Sequence, residues 1–239
     1  MSKRKFLLAL LLLISSVGFA AAQSNPVDPA AALERGNESF AKADYEAAIR
    51  EYGSVPASAG ETYAQALYNI GVSYYELWLT ADAIAFYQRA IVARNGQYPR
   101  ASYALGIAFE DQGKLVEAQE AYGQSIAGSH GEFAAAHYRL GLLMAGRGDY
   151  ERAAASFRKA LNHPGLHVAA SHNNLGVMLV RLGRLKEALR EFEFALRQSG
   201  GTFADASNNL KRCRSLLTAP SANKVAVFRV STLSDGSNK

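Results

Sequence analysis

The sequence predicts an all-α solenoid of about five antiparallel helix pairs with a C-terminal capping helix. Three observations carry that expectation. Gly36, Gly71, Gly106, Gly141 and Gly176 recur at a fixed interval of 35 residues. An alanine stands 12 positions after each, at Ala48, Ala83, Ala118, Ala153 and Ala188. An aromatic stands 16 positions after each, at Tyr52, Tyr87, Tyr122, Phe157 and Phe192. Self-similarity at such a period marks a repeat architecture, in which each unit buries its apolar face only against its neighbours.

One unit shows why the repeat is a helix pair. Residues 135–145 form a helical run, Gly146, Arg147 and Gly148 interrupt it, and residues 150–161 form a second run. The recurring glycine lies inside the first helix, where it costs about 1 kcal/mol relative to alanine. Close approach of the second helix is the compensating reason expected, with the alanine column serving the same purpose. The aromatic column is expected to fill the gap between one pair and the next.

In chain order, residues 1–22 differ in kind from the rest. Lys3, Arg4 and Lys5 precede the apolar run 6–14, and Ala20, Ala21 and Ala22 precede Gln23. That pattern predicts a secretory signal peptide cut after Ala22, with an uncleaved membrane anchor as the alternative. Residues 23–29 read as a flexible lead-in, and Asp28-Pro29 as a helix start. The repeats span about 30–55, 62–94, 99–127, 134–162 and 168–198, separated by stretches rich in Gly, Pro and Ser. Residues 204–217 read as a cap, because Lys211 stands where the glycine would recur and no second helix follows. Lys211, Arg212 and Arg214 are expected to face water. Residues 219–239 read as a flexible tail carrying one strand-like patch, Val225 to Val230. Either it folds back loosely against the last helices, or it pairs with a partner.

The columns resemble the tetratricopeptide repeat over about residues 30–218. The first-helix matches are YNIGVSYY (68–75), YALGIAF (103–109), YRLGLLM (138–144) and NNLGVML (173–179). The second-helix matches are DYERAAASFRKAL (149–161) and RLKEALREFEFAL (184–196). The unit is one residue longer than the usual 34, Arg35 replaces a leucine, and Trp78 stands where Gly113, Gly148 and Gly183 make the turn. That second turn is therefore expected to differ. The resemblance implies a right-handed superhelix whose first helices line a concave groove. The groove residues it implies are Tyr68, Val72 and Tyr75; Tyr103, Ile107 and Glu110; Tyr138, Leu142 and Ala145; and Asn173, Val177 and Val180. Three tyrosines beside an aliphatic stripe suit an extended peptide or a partner helix, although tyrosine at that column also packs against its neighbour. The family's clamp for a C-terminal carboxylate is matched only by Asn37, Asn69 and Arg100. Leu33 and Ala104 replace its other basic residues, which removes most of the charge-assisted bonding.

Chemistry is sparse. His137 and His172 share a packing position in first helices; His130, His163 and His167 fall in loops, and His163 and His167 straddle Pro164-Gly165, which denies them helical metal-pair geometry. Glu110 and Asp111 are adjacent, so on a helix they point about 100° apart and do not converge. No metal, cofactor or enzymatic activity is expected. Cys213 is the single cysteine, expected to be buried in the cap, with an intermolecular disulfide as the alternative. Loss of Lys3, Arg4 and Lys5 takes the formal net charge from +5 to about +2, so nucleic-acid binding loses its main support. The expected function is a non-catalytic scaffold or adaptor, exported to the periplasm or cell envelope of a bacterium. It would hold a protein or peptide partner in the concave groove, without membrane insertion once the signal is removed. A self-assembling structural component of an envelope complex, and hence a homo-oligomer, is the alternative.

Overall fold

The structure, a computed structural model, describes residues 28–163, 167–218 and 228–231. The signal segment, most of the lead-in and the tail outside 228–231 lie outside the described residues. Every regular element described is helical, in agreement with the all-α expectation. The helices are α1 (Pro29–Ala41), α2 (Tyr45–Gly53), α3 (Glu61–Glu76), α4 (Thr80–Ala93), α5 (Pro99–Asp111) and α6 (Leu115–Gly128). There follow α7 (Ala134–Gly146), α8 (Tyr150–Leu161), α9 (Val168–Arg181), α10 (Leu185–Gln198) and α11 (Ala204–Thr218). A short 3-10 turn at Ala57–Ala59 precedes α3.

Local chemistry starts these helices. Asp28, Asp44 and Asp149 cap α1, α2 and α8 by accepting from the amides of Ala30, Ala47 and Arg152. Pro29 and Pro99 sit in the first turns of α1 and α5, where a missing N–H costs nothing. Each pair is joined by one turn design. In the third pair Lys114 donates its amide to the Phe109 carbonyl at 2.9 Å, with Gly113 at φ +70°. The second pair repeats it: Leu79 donates to Tyr74 at 2.9 Å, and Trp78 takes φ +62°. The expectation of a different turn at Trp78 is thus corrected. The same left-handed conformation is imposed on a bulky residue because the packed helices leave no other path, and the side chain stays 87% exposed. Left-handed backbone costs a non-glycine residue about 1–2 kcal/mol. Trp78→Gly is therefore expected to stabilise the protein by about 1 kcal/mol, read as a higher denaturant midpoint; a lowered midpoint would show that the indole contributes contacts.

The pairs α1–α2, α3–α4, α5–α6, α7–α8 and α9–α10 pack internally, each second helix packs on the next first helix, and α11 closes the stack against α10 and α9. The glycine column explains how each pair closes. A Cβ at Gly141 would lie 2.7 Å from the Phe157 ring, and one at Gly176 2.6 Å from Phe192. The ring of the same repeat therefore lies on the glycine of its own pair, and it also meets the next pair as expected: Tyr52 packs with Ala66 and Ile70, and Tyr87 with Leu105 and Ala108. The alanine column is fully buried at the same contacts. First helices approach one another directly, α1 with α3, α3 with α5, and α9 with α11. They form the inner wall. The largest buried cluster lies at the C-terminal end, around Phe157, Leu175, Met178, Phe192 and Cys213, and it includes Phe228 from the tail.

Candidate functional site: the inner groove

The groove has two halves. In the front half, the Tyr68 ring lies 5.9 Å from Tyr87 and 5.5 Å from Tyr98, and Tyr103 lies 5.7 Å from Tyr122 and 5.2 Å from Phe133. Each tyrosine is wedged between the second-helix ring of its own repeat and the residue leading into the next first helix. This packing fixes the rings, and both remain half-buried, with an edge open to the groove. Burial raises the Tyr68 pKa, against the lowering effect of the nearby Arg100 charge. Val72, Tyr75, Ile107 and Glu110 are also half-buried along this stretch.

Polar groups in the front half are already organised. The Asn37 side-chain oxygen accepts from the Tyr52 hydroxyl at 2.8 Å and from the Asn69 amide at 3.3 Å. With Phe40, Tyr68 and Val72, these residues line a cleft of about 170 Å³. Of the three clamp-like residues, Asn37 and Asn69 are brought together, and Arg100 is exposed near Tyr68. The two carboxylates diverge: Glu110 accepts from the Tyr122 hydroxyl and pairs with Arg139 at 3.4 Å, while Asp111 accepts from the Tyr75 hydroxyl. Both are engaged in fastening neighbouring helices. Burial, and then the Glu110 contact, push the Tyr122 pKa up, so this hydroxyl remains a donor.

The back half is filled. The segment Phe228, Arg229, Val230 and Ser231 lies along α7, α9, α10 and α11, and it is held through its backbone. Asn209 donates its side-chain amide to the Arg229 carbonyl at 2.8 Å and accepts from the Arg229 N–H at 3.1 Å. Asn174 does the same two residues on: it donates to the Ser231 carbonyl at 2.8 Å and accepts from the Ser231 N–H at 2.7 Å. The Tyr138 hydroxyl donates to the Ser231 carbonyl at 2.6 Å, and Asn173 donates to the Ser231 hydroxyl at 2.9 Å. Burial pushes the Tyr138 pKa up to about 12, against the lowering effect of the Asn174 contact. Tyr138, Asn173 and Val177, expected on an open groove wall, are each at most 1% exposed; Leu142 stays half-buried. Residues 228–231 fold back against the last helices, as the first of the two readings of the patch had it, but they are held by specific bonds and not loosely. Their backbone groups find side-chain amides instead of water, and Phe228 finds an apolar seat.

Asn174 and Asn209 are the functional residues that the sequence reading missed. Their signal lies in the repeat register: Asn69, Asn174 and Asn209 each stand two positions before the glycine column or its Lys211 equivalent. Asn173, Asn174 and Asn209 are all fully buried, and a side-chain amide takes that position only where donors and acceptors await it.

The other candidates serve packing. His137 is 4% exposed with Nε2 at 3.2 Å from the Gly131 carbonyl, and burial lowers its pKa. His172 bonds Glu191 at 2.7 Å and stacks on Phe194. Cys213 is fully buried with its thiol 3.4 Å from the Leu185 carbonyl, and burial raises its pKa. Among the described residues, no group of three or more His, Cys, Asp or Glu is placed to hold a metal, and no helix is long and apolar enough to cross a membrane.

Family models described as tetratricopeptide repeat match residues 65–93, 103–167 and 147–202, together more than half of the 239 residues. No curated protein matches the chain. Among solved structures the chain is similar to the protein MamA, at 24% identity, covering 72% of this chain and 92% of that one with a TM-score of 0.60. MamA from Desulfovibrio magneticus RS-1 is similar at 20% identity, 75% and 99% coverage and a TM-score of 0.60. YrrB, described as a TPR protein with an unusual peptide-binding site, is similar at 18% identity, 71% and 86% coverage and a TM-score of 0.55. At these identities the likeness is one of fold.

Proposed function

Because the chain belongs to the tetratricopeptide repeat family, and because its inner groove already carries a stretch of extended backbone, we propose that it is a non-catalytic scaffold holding an extended segment of a partner protein along that groove. The single observation that carries this reading is the pair of two-point contacts from Asn174 and Asn209 to alternate residues of the segment 228–231. A wall that binds backbone in this way suits peptide. Pinned aromatic edges supply contact area at little entropic cost. With residues 228–231 seated in the back half, the part of the groove left open to a partner is the front half, where Tyr68 and Tyr103 flank a stripe with Asn37, Asn69 and Arg100 nearby.

The test is panning a random-peptide display library against the full chain and a Tyr68→Ala/Tyr103→Ala variant. Tyr138 is left intact because it holds Ser231. Selected peptides are expected to bind the variant at least tenfold more weakly, with helix content unchanged by circular dichroism. Equal binding to both proteins would overturn the assignment of the front half.

Self-assembly is the second reading, and one observation favours it: every copy carries a segment, 228–231, that already fits the groove. Light scattering on purified protein distinguishes the two, since a dimer or larger species favours self-assembly and a monomer favours a foreign partner. The basic start, the apolar run and the Ala20–Ala22 site support export to the periplasm or cell envelope. Recovery from the periplasmic fraction of a chain beginning at Gln23 is the expected result; retention in the cytoplasm with residues 1–22 intact would rule export out.

A further inference from the structure

We propose that the back half of the groove is a sequence-selective socket for an extended segment of the form aromatic–any–aliphatic–serine. In this proposal the chain's own Phe228–Ser231 fills the socket as a built-in competitor, and a partner carrying the same pattern enters by displacing it. The proposal rests on the groove being a peptide-holding surface, and it adds a ligand class and a means of control.

The pattern is read from four contacts. In repeats two to four a first-helix tyrosine lies against the second-helix ring: Tyr68 on Tyr87, Tyr103 on Tyr122 and Tyr138 on Phe157, at 5.9, 5.7 and 5.6 Å. In the fifth repeat Asn173 takes that column and leaves Phe192 without its partner ring. Phe228 supplies it, nearly parallel to Phe192 at 6.2 Å and 10°. The first position is therefore aromatic. Arg229 is exposed, so the second position is free in side chain, but its N–H and C=O are both taken by Asn209, which excludes proline. Val230 packs against the C-terminal core, so the third position is aliphatic. Ser231 is 7% exposed, with its hydroxyl accepting from Asn173 and its backbone held by Asn174, so the fourth position is a small hydroxyl residue.

This arrangement has the character of an exchangeable ligand. Backbone groups and one ring carry the recognition, and any chain with the pattern offers the same groups. Departure of the segment opens Asn173, Asn174 and Asn209 to water, so no amide is left buried and unbonded. A competitor on the same chain binds intramolecularly, at an effective concentration that a free peptide has to exceed. The native protein should accordingly take a free peptide far more weakly than a protein whose own segment cannot seat.

The experiment uses the full chain carrying Phe228→Asp and Val230→Asp, with a fluorescent synthetic peptide of residues 223–234 as probe and anisotropy as readout. The probe is expected to bind this variant at least tenfold more tightly than the wild type. Adding Asn174→Ala and Asn209→Ala should cost at least tenfold, as should a probe with alanine at the Phe228 position, while adding Tyr68→Ala and Tyr103→Ala should change little. Loss on the tyrosine changes alone would instead place the probe in the front half. That outcome overturns the socket and leaves the scaffold reading standing. Equal binding to wild type and to the Phe228→Asp/Val230→Asp variant, with helix content intact, would identify the segment as a fixed strap and overturn the proposal. A second variant leaves the socket untouched: a specific protease site placed within residues 219–227 of the full chain, cut after folding. The nicked protein should exchange its segment for the probe, seen by native mass spectrometry; a segment that never exchanges, or whose release unfolds α9–α11, contradicts the proposal.

Discussion

Phe192→Ala is expected to destabilise the protein by about 3–5 kcal/mol, the cost of truncating a buried phenylalanine in a core that cannot collapse around the void. Three features place it at the upper end of that range. The ring is fully buried, it lies on the Gly176 backbone so that no side chain on the first helix can move in to fill the space, and its outer face carries Phe228. The substitution therefore opens the α9–α10 contact and removes the seat of the tail segment together. In a stacked array each unit is stabilised mainly by its neighbours, so the loss should spread into α7–α8 and α11 before it reaches α1–α4. Chemical denaturation followed by circular dichroism should show a lowered midpoint, or an early first phase as the C-terminal end unfolds alone. A loss below about 1 kcal/mol, the level of an exposed or readily repacked position, would contradict the packing described.

Gly106→Val is expected to cost about 3 kcal/mol, at the top of the usual overpacking penalty. A Cβ at this position would stand 2.4 Å from the Tyr122 ring, and valine adds two methyl groups beyond it. Tyr122 is a poor candidate for yielding: it is fully buried, packs on Tyr103, and donates its hydroxyl to Glu110, which in turn holds Arg139 of the next repeat. Displacing the ring therefore breaks a chain of contacts joining α5, α6 and α7. The control is Gly123→Val, a helical glycine with nothing within 4 Å of its would-be Cβ, where only helix propensity is at stake. A large gap between the two midpoints is the expected result, and similar midpoints would mean that the glycine column is not set by the rings.

The stack was legible because its physics is periodic. Each glycine, alanine and ring of a pair meets the others in every repeat, so the same constraint is written five times at a spacing of 35 residues. The cap was legible for a related reason, Lys211 breaking a column that α11 otherwise continues. The Trp78 turn was misjudged because helix packing outweighs a local penalty of about 1–2 kcal/mol. The placing of Tyr68 and Tyr103 on the inner wall was an expectation carried by the family resemblance, repeat by repeat. The covering of Tyr138, Asn173 and Val177 was not legible in that way, because it depends on a contact between residues 57 and 58 positions apart at Asn174 and Asn173 and as many as 93 apart at Tyr138. No short-range pattern records such a contact. Two traces of it did exist in the sequence: an asparagine where the tyrosine column should continue, and an apolar patch ending in Phe228 and Val230 within an otherwise polar tail. Read separately they meant little, and the fold joins them.

Hydrogen exchange at two backbone amides, Arg229 and Ser231, measured by NMR on the full chain, is the most direct test of the groove as a holder of extended backbone. Both amides donate to buried asparagine oxygens, at 3.1 and 2.7 Å. They should exchange at least a hundredfold more slowly than the same residues in a free peptide, roughly 2.7 kcal/mol of local protection, and an Asn174→Ala/Asn209→Ala variant should lose that protection while α3 to α10 keep theirs. Exchange of both amides at free-peptide rates in the native protein would contradict it.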